Sequence, residues 1–235
     1  MKTFNVIQGS PEWEALRLGR PTGSAFDRIV TPGGKASGEK TQEKFMFELL
    51  GERMTGQPDK NFQSKWMERG KTMEIDAVRF YEAQRDMDTH PIGFMMNDAE
   101  TIGASPDRLV EDAGLMEIKC PSPGIHVSYL LKSGSPYEEY RVQIQGQLWI
   151  SGRQWCDVVS YHPLLPMALV RIPRDEKFIG IMTPIIEDFS RRLETKAKEL
   201  ADLGWMDAAK AKNAEPAFSK ETDLAYAAWI AGQSN

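Results

Sequence analysis

The hydrophobic pattern changes period near residue 86, and this change restricts the fold more than any other feature of the chain. Before it, apolar residues recur at helical spacing: Phe45, Leu49 and Leu50 within 41–55, then Trp66, Met73, Ala77, Phe80 and Tyr81 within 64–84. After it come short β-like runs, Pro91–Met96, Thr101–Ala104, Arg108–Val110 and Leu115–Cys120. The turn formers Asn97-Asp98-Ala99 and Asp112-Ala113-Gly114 separate them. Helical spacing returns over 137–151. Two strands, Asp157–Tyr161 and Ala168–Ile172, then flank a proline-broken turn, and a charged amphipathic helix covers about 174–203. This order predicts an α/β fold of the α+β kind, with a central mixed, mostly antiparallel β-sheet flanked by helices.

The N-terminal part reads as small helical pieces. Ser10 caps a helix with Pro11 at its first position and Glu12 in its first turn; it ends before Gly19. A second short helix opens near Thr22-Gly23-Ser24, and 31–38 has the composition of a flexible loop. There is no internal repeat and no composition break, so one domain over 1–235 is expected. Its parts are N-terminal helices at 10–85, the sheet and its helices at 86–204, and a helical tail at 205–235. No run approaches the ~18 apolar residues of a membrane span, and the first residues do not read as a secretion signal. A cytoplasmic location follows as an expectation. Cys120 and Cys156 each sit in a run that reads as a buried strand, too few for a disulfide framework or a zinc site.

A net charge of −5 argues against a nucleic-acid binder until its distribution is considered. Residues 1–80 hold 13 Lys/Arg against 11 Asp/Glu, whereas 81–120 hold 3 against 9. The acid is concentrated in one window. Within it lie Ser105-Pro106-Asp107 and, after nine intervening residues, Glu117-Ile118-Lys119. Strand alternation puts Glu117 and Lys119 on one side and Ile118 in the core, and the turn at 112–114 can return Asp107 beside Glu117. Two converging carboxylates repel unless a cation lies between them, and magnesium prefers such oxygens. Two readings compete: a metal site with Lys119 orienting or deprotonating a water, and an exposed hairpin in which Asp107 caps a turn and Glu117 pairs with Lys119. The apolar flanks Ile102-Gly103 and Leu115-Met116 favour the first, because acids emerging from buried strands are costly without a function.

The segment resembles the PD-(D/E)xK nuclease superfamily and, more narrowly, the phage-recombination exonucleases typified by bacteriophage lambda exonuclease and the YqaJ family. Five blocks carry the resemblance in order: Trp13–Ser24, Glu68–Glu74, Gly103–Leu109, Met116–Pro121 and Tyr140–Gln145. The resemblance implies a restriction-endonuclease-like core and a magnesium-dependent exonuclease, with manganese a substitute. Such an enzyme resects linear double-stranded DNA 5′-to-3′ as a ring-shaped homotrimer, in a bacterial host and of phage origin. It leaves a 3′ single strand for a single-strand annealing protein. It further implies metal ligation by Asp107, Glu117 and the Ile118 carbonyl, and a catalytic Lys119.

Glu74 and Gln143 are carried over as further catalytic-site residues; by themselves they equally read as a solvated helix acid and an amphipathic boundary residue. Gln143 and Gln147, four apart, share a helix face. Arg17, Thr22 and Ser24, with Ser105, make a candidate 5′-phosphate pocket, since a guanidinium and hydroxyls at a helix start suit phosphate oxygens. The plainer alternative is a helix cap beside a solvent-facing arginine. Met67 aligns with an apolar residue that wedges between terminal base pairs, although a methionine at this spacing also reads as core. Lys35 is the cation offered by the 31–38 loop, where an arginine is lacking, and Arg108 stands where the family has glycine. Other PD-(D/E)xK endonucleases and a DNA-end-binding subunit without cleavage are the rival functions. The scattered His90, His126 and His162 give no support to zinc chemistry, and no glycine loop cradles a nucleotide.

Overall fold

The computed structural model describes residues 1–58, 65–132 and 137–214, without the side chains of 65–72. Met67 and Trp66, as side chains, and the tail beyond 214 therefore lie outside the described residues. In chain order the elements are β1 (Lys2–Phe4), α1 (Pro11–Arg17), a 3-10 helix (Gly23–Arg28), α2 (Glu39–Thr55), α3 (Lys65–Arg85), β2 (Thr89–Pro91), β3 (Phe94–Met96) and β4 (Gly103–Ala104). They continue with β5 (Arg108–Val110), β6 (Gly114–Lys119), α4 (Pro123–Leu131), α5 (Tyr137–Ser151), β7 (Trp155–Ser160), β8 (Ala168–Pro173), α6 (Glu176–Asp202) and α7 (Trp205–Ala214).

Strands β2-β5-β6-β7-β8 make the main sheet, antiparallel except where β6 runs parallel to β7. A parallel neighbour requires a crossover, which α4 and α5 supply. The sheet is mixed and sandwiched. One face of β6 and β7 packs against α3, with Met116, Ile118 and Val159 meeting Ala77 and Tyr81. The opposite face packs against α5, where Leu115, Cys156 and Val158 meet Ile144 and Leu148. Covered on both sides, β6 is buried from Gly114 to Ile118. A third cluster joins the 3-10 helix, α2 and α6 to α5. The close approach of the 3-10 helix depends on Gly146, where a Cβ would fall 2.4 Å from the Phe26 ring.

Four expectations change. The run 91–96 is not one strand: β2 joins the main sheet, while β3 pairs with β1 and β4 in a separate three-stranded sheet. The break falls where Pro91 has no N–H to offer and where Gly93 lies against backbone, a Cβ there meeting Phe4 O at 2.4 Å. Segment 31–38 is an ordered turn: Thr31 and Lys35 bond across it, Ser37 N–H donates to Ile29 O at 2.9 Å, and Arg141 donates to Pro32 O at 3.2 Å. Cys120 lies just past β6 and is only partly buried. Helix α4, a short apolar run behind Ser122-Pro123, was not expected at all.

Candidate active site

Alternation along β6 decides which side chains meet. Leu115, Glu117 and Lys119 face α5, while Met116 and Ile118 face α3. Glu117 is 3 % exposed and accepts three hydrogen bonds. Its Oε1 takes Lys119 Nζ at 2.7 Å and Gln143 Nε2 at 2.6 Å; its Oε2 takes Gln147 Nε2 at 2.7 Å. Lys119 Nζ also donates to Gln143 Oε1 at 3.3 Å and lies 4.3 Å from the centre of the Tyr140 ring. Burial works against the charge on Lys119, but Glu117, as charge and acceptor, outweighs it with help from Asp107, so its pKa is raised.

Asp107 precedes β5, opposite Glu117 at the end of the β5–β6 ladder. There the Ile118 N–H has lost its strand partner, and Asp107 Oδ2 accepts it at 2.6 Å. Burial, and next the negative charge of Glu117, push the Asp107 pKa well above the usual carboxylate range; the Ile118 N–H and Lys119 offset this only in part. Glu74 on α3 is near enough for its charge to act on Asp107 and on Cys120, whose thiol burial first, and then the two acids, push up to about 12. Asp107, Glu117, Lys119, Gln143 and the charge of Glu74 thus converge. Among the described residues no three His, Cys, Asp or Glu side chains are grouped so that together they could hold a metal ion. Asp107 and Glu117 instead offer an open pair of hard oxygen donors, a type that suits a cation keeping several waters.

A second constellation lies on α1 and the 3-10 helix. Arg17 Nη2 donates to Ser24 Oγ at 3.2 Å, Thr22 and Ser24 hydroxyls are 3.5 Å apart, and the Arg17 guanidinium stacks 4.3 Å from the Trp13 ring centre. Burial lowers the Arg17 pKa, with Glu52 opposing. Trp13 Nε1 donates to Ser105 Oγ at 3.0 Å, and Ser105 donates to Gly93 O at 2.7 Å. Ser105, two residues before Asp107, is thereby tied to the arginine through Trp13. The signal for Trp13 was in the sequence: it lies one helical turn from Arg17. Lys35 is exposed at the tip of its turn, and no hydrogen bond joins it to this group. Arg108 turns away from Asp107: its Nε donates to Thr89 Oγ1 at 2.9 Å on β2.

Residues 12–154, more than half of the chain, match the model of the YqaJ-like viral recombinase domain. The chain belongs to that family. An alkaline exonuclease from Laribacter hongkongensis is 34% identical, with a TM-score of 0.73, over 86% of this chain and 100% of its own. The same figures hold for its complex with dAMP. A phage-related exonuclease from Haemophilus somnus 129PT shares the fold at 16% identity, with a TM-score of 0.61, over 77% of this chain and 96% of that one. No curated protein matches the chain. As a YqaJ-like protein it is a nuclease of the lambda-exonuclease type, in a family that acts on DNA ends and generally depends on divalent metal ions. The mixed sheet between helices is the fold of these exonucleases. No helix among the described residues is long and apolar enough to cross a membrane.

Proposed function

We propose that the chain is a magnesium-dependent 5′-to-3′ exonuclease that degrades one strand of linear duplex DNA. The observation that carries this reading is a surplus of negative charge: among the described residues, Asp107 and Glu117 face one ammonium, Lys119. A cation completes that balance. Asp107, Glu117 and the Ile118 carbonyl would hold it; in a strand the carbonyl points to the same edge as its own N–H, here toward Asp107. Bound magnesium supplies Lewis acidity, stabilising charge at phosphorus and lowering the pKa of a water. Lys119, anchored by Glu117 and Gln143, orients that water or neutralises the phosphate in the transition state. Glu74 adds negative charge at the margin of the site.

Arg17, Thr22 and Ser24 bind the terminal 5′-phosphate, with Ser105 holding Trp13 beneath the guanidinium. Each cleavage then regenerates the same end. Met67 as a wedge and Lys35 as a backbone contact complete the DNA path. A homotrimeric ring and delivery of the 3′ strand to a single-strand annealing protein, in the cytoplasm of a bacterial host, extend the reading from the family.

The test is a time course of strand lengths from linear duplex labelled at either end, beside closed circular duplex. With magnesium or manganese, the 5′-ended strand should shorten from its end while circles survive. Calcium, with looser geometry, should support DNA binding but little turnover. Rapid nicking of circles, or full cleavage in chelator, overturns the reading.

A further inference from the structure

Resting on that reading of the site, we infer that Gln147 is a positioning residue that selects which oxygen of Glu117 the metal meets. The carboxylate has two acceptor positions on each oxygen. Lys119 and Gln143 take both on Oε1, whereas Gln147 takes a single one on Oε2. Only Oε2 keeps a lone pair for a cation. Without the Gln147 amide that oxygen loses its donor, and the carboxylate, a soft two-fold rotor about its last torsion, is held through Oε1 alone.

The cost of the arrangement argues that it serves the carboxylate. Gln147 is 1 % exposed, and its Oε1 is buried with no hydrogen-bond partner. Turning the amide over would set an oxygen against the Glu117 carboxylate, so the orientation is imposed by Glu117. Gln145, two residues earlier, shows what a structural glutamine looks like on the same helix. Its Nε2 donates to Tyr137 and to Pro173 O, and its Oε1 accepts from the Asp175 N–H. Gln145 has every partner it needs; Gln147 is half-satisfied, and its one bond goes to the site. The i, i+4 spacing lets Gln143 and Gln147 grip one carboxylate from a single helix face.

The test compares Gln147→Met, which keeps the length and volume but has no donor, with the wild-type chain. Manganese binding is titrated by calorimetry on the DNA-free protein, alongside melting and kinetics on linear duplex. Gln147→Met should bind manganese roughly tenfold more weakly, in the range of losses when residues supporting a ligand are changed. It should lower kcat with little change in KM for DNA ends, and melt no earlier than wild type. Gln147→Ala should repeat the metal defect, whatever its cavity does to melting. Wild-type metal affinity and kcat in both variants would overturn the assignment. Failure of the wild-type chain itself to bind manganese or cut DNA would instead overturn the reading of the site.

Discussion

Two acids are buried on opposite faces of the same pair of strands, and they are treated in opposite ways. Asp157 on β7, fully buried, faces α3. Arg171 grips both its oxygens at 2.8 Å, and Tyr81 donates to Oδ2 at 2.6 Å. Trp155 closes over the guanidinium, 3.4 Å from its ring centre. One negative charge meets one positive charge, and nothing remains to be satisfied. Glu117 on β6 faces α5, with a second carboxylate near it and, among the described residues, one lysine, bonded to Glu117. Burial is nearly equal, so burial alone distinguishes nothing. The charge balance does: the closed set is a structural clasp, and the set in deficit is where we propose that a cation binds.

The sharpest way to break this comparison is to remove each acid. Glu117→Gln should reduce cleavage by on the order of 100-fold or more, as loss of a transition-state contact does. Because it relieves repulsion on Asp107, the melting temperature should stay within a few degrees. Asp157→Ala should do the reverse. Breaking a buried pair costs about 3–5 kcal/mol, roughly a 10 °C fall in Tm for a chain of this size, while the folded fraction keeps its turnover per molecule. Thermal melts and single-turnover cleavage read both arms. A large stability loss in Glu117→Gln, or a catalytic loss in folded Asp157→Ala, would erase the distinction.

How visible the two sets were in the sequence follows from how local they are. Glu117 and Lys119 are two apart on one strand, and the turn at 112–114 returns Asp107 to them, so alternation and one hairpin suffice. The glutamine face follows from helical spacing. The clasp is otherwise: Tyr81 and Asp157 are 76 residues apart, and their meeting depends on α3 crossing β7. Nothing in the local pattern of Trp155-Cys156-Asp157 marks the acid as paired. The split of 91–96 between two sheets was hidden for a similar reason, since Gly93 is required by the backbone of β1 and Val6, far away in sequence. Helix α4 was missed because a short apolar stretch gives no clear period.

Arg17 sharpens the comparison from the cationic side. Arg171 is committed to Asp157, whereas Arg17 is bonded to an exposed hydroxyl, Ser24, and stacked on Trp13. A guanidinium held this way is ready for an anion. Arg17→Ala should shrink the preference for 5′-phosphorylated over 5′-hydroxyl ends, because a charge-assisted contact is worth about 1.5–3 kcal/mol. That is roughly one to two decades in rate. Metal-dependent cleavage itself should persist. Competition between the two kinds of end is the measurement, and an unchanged preference removes Arg17 from the pocket.

The smallest effect belongs to the hydroxyl of the clasp and appears most clearly in alkali. Burial first, then the bond to Asp157 and its charge, raise the Tyr81 pKa above its ordinary value near 10. The sign follows directly. The protonated phenol is the form the fold favours, so its contribution is complete below pH 10 and declines as pH rises toward the raised native value. In that window the unfolded chain releases a proton that the folded chain keeps. The slope approaches about 1.4 kcal/mol per pH unit. Tyr81→Phe should therefore cost about 1.5 kcal/mol near neutrality, the low end for a hydrogen bond to a charged group. Its stability should then fall less steeply than wild type above pH 10, so the two curves converge. Cleavage at neutral pH should be unaltered, since Tyr81 lies on the face away from Glu117. Urea unfolding at intervals from pH 7 to 11 measures it, and parallel curves would show that the phenol takes no part in the clasp.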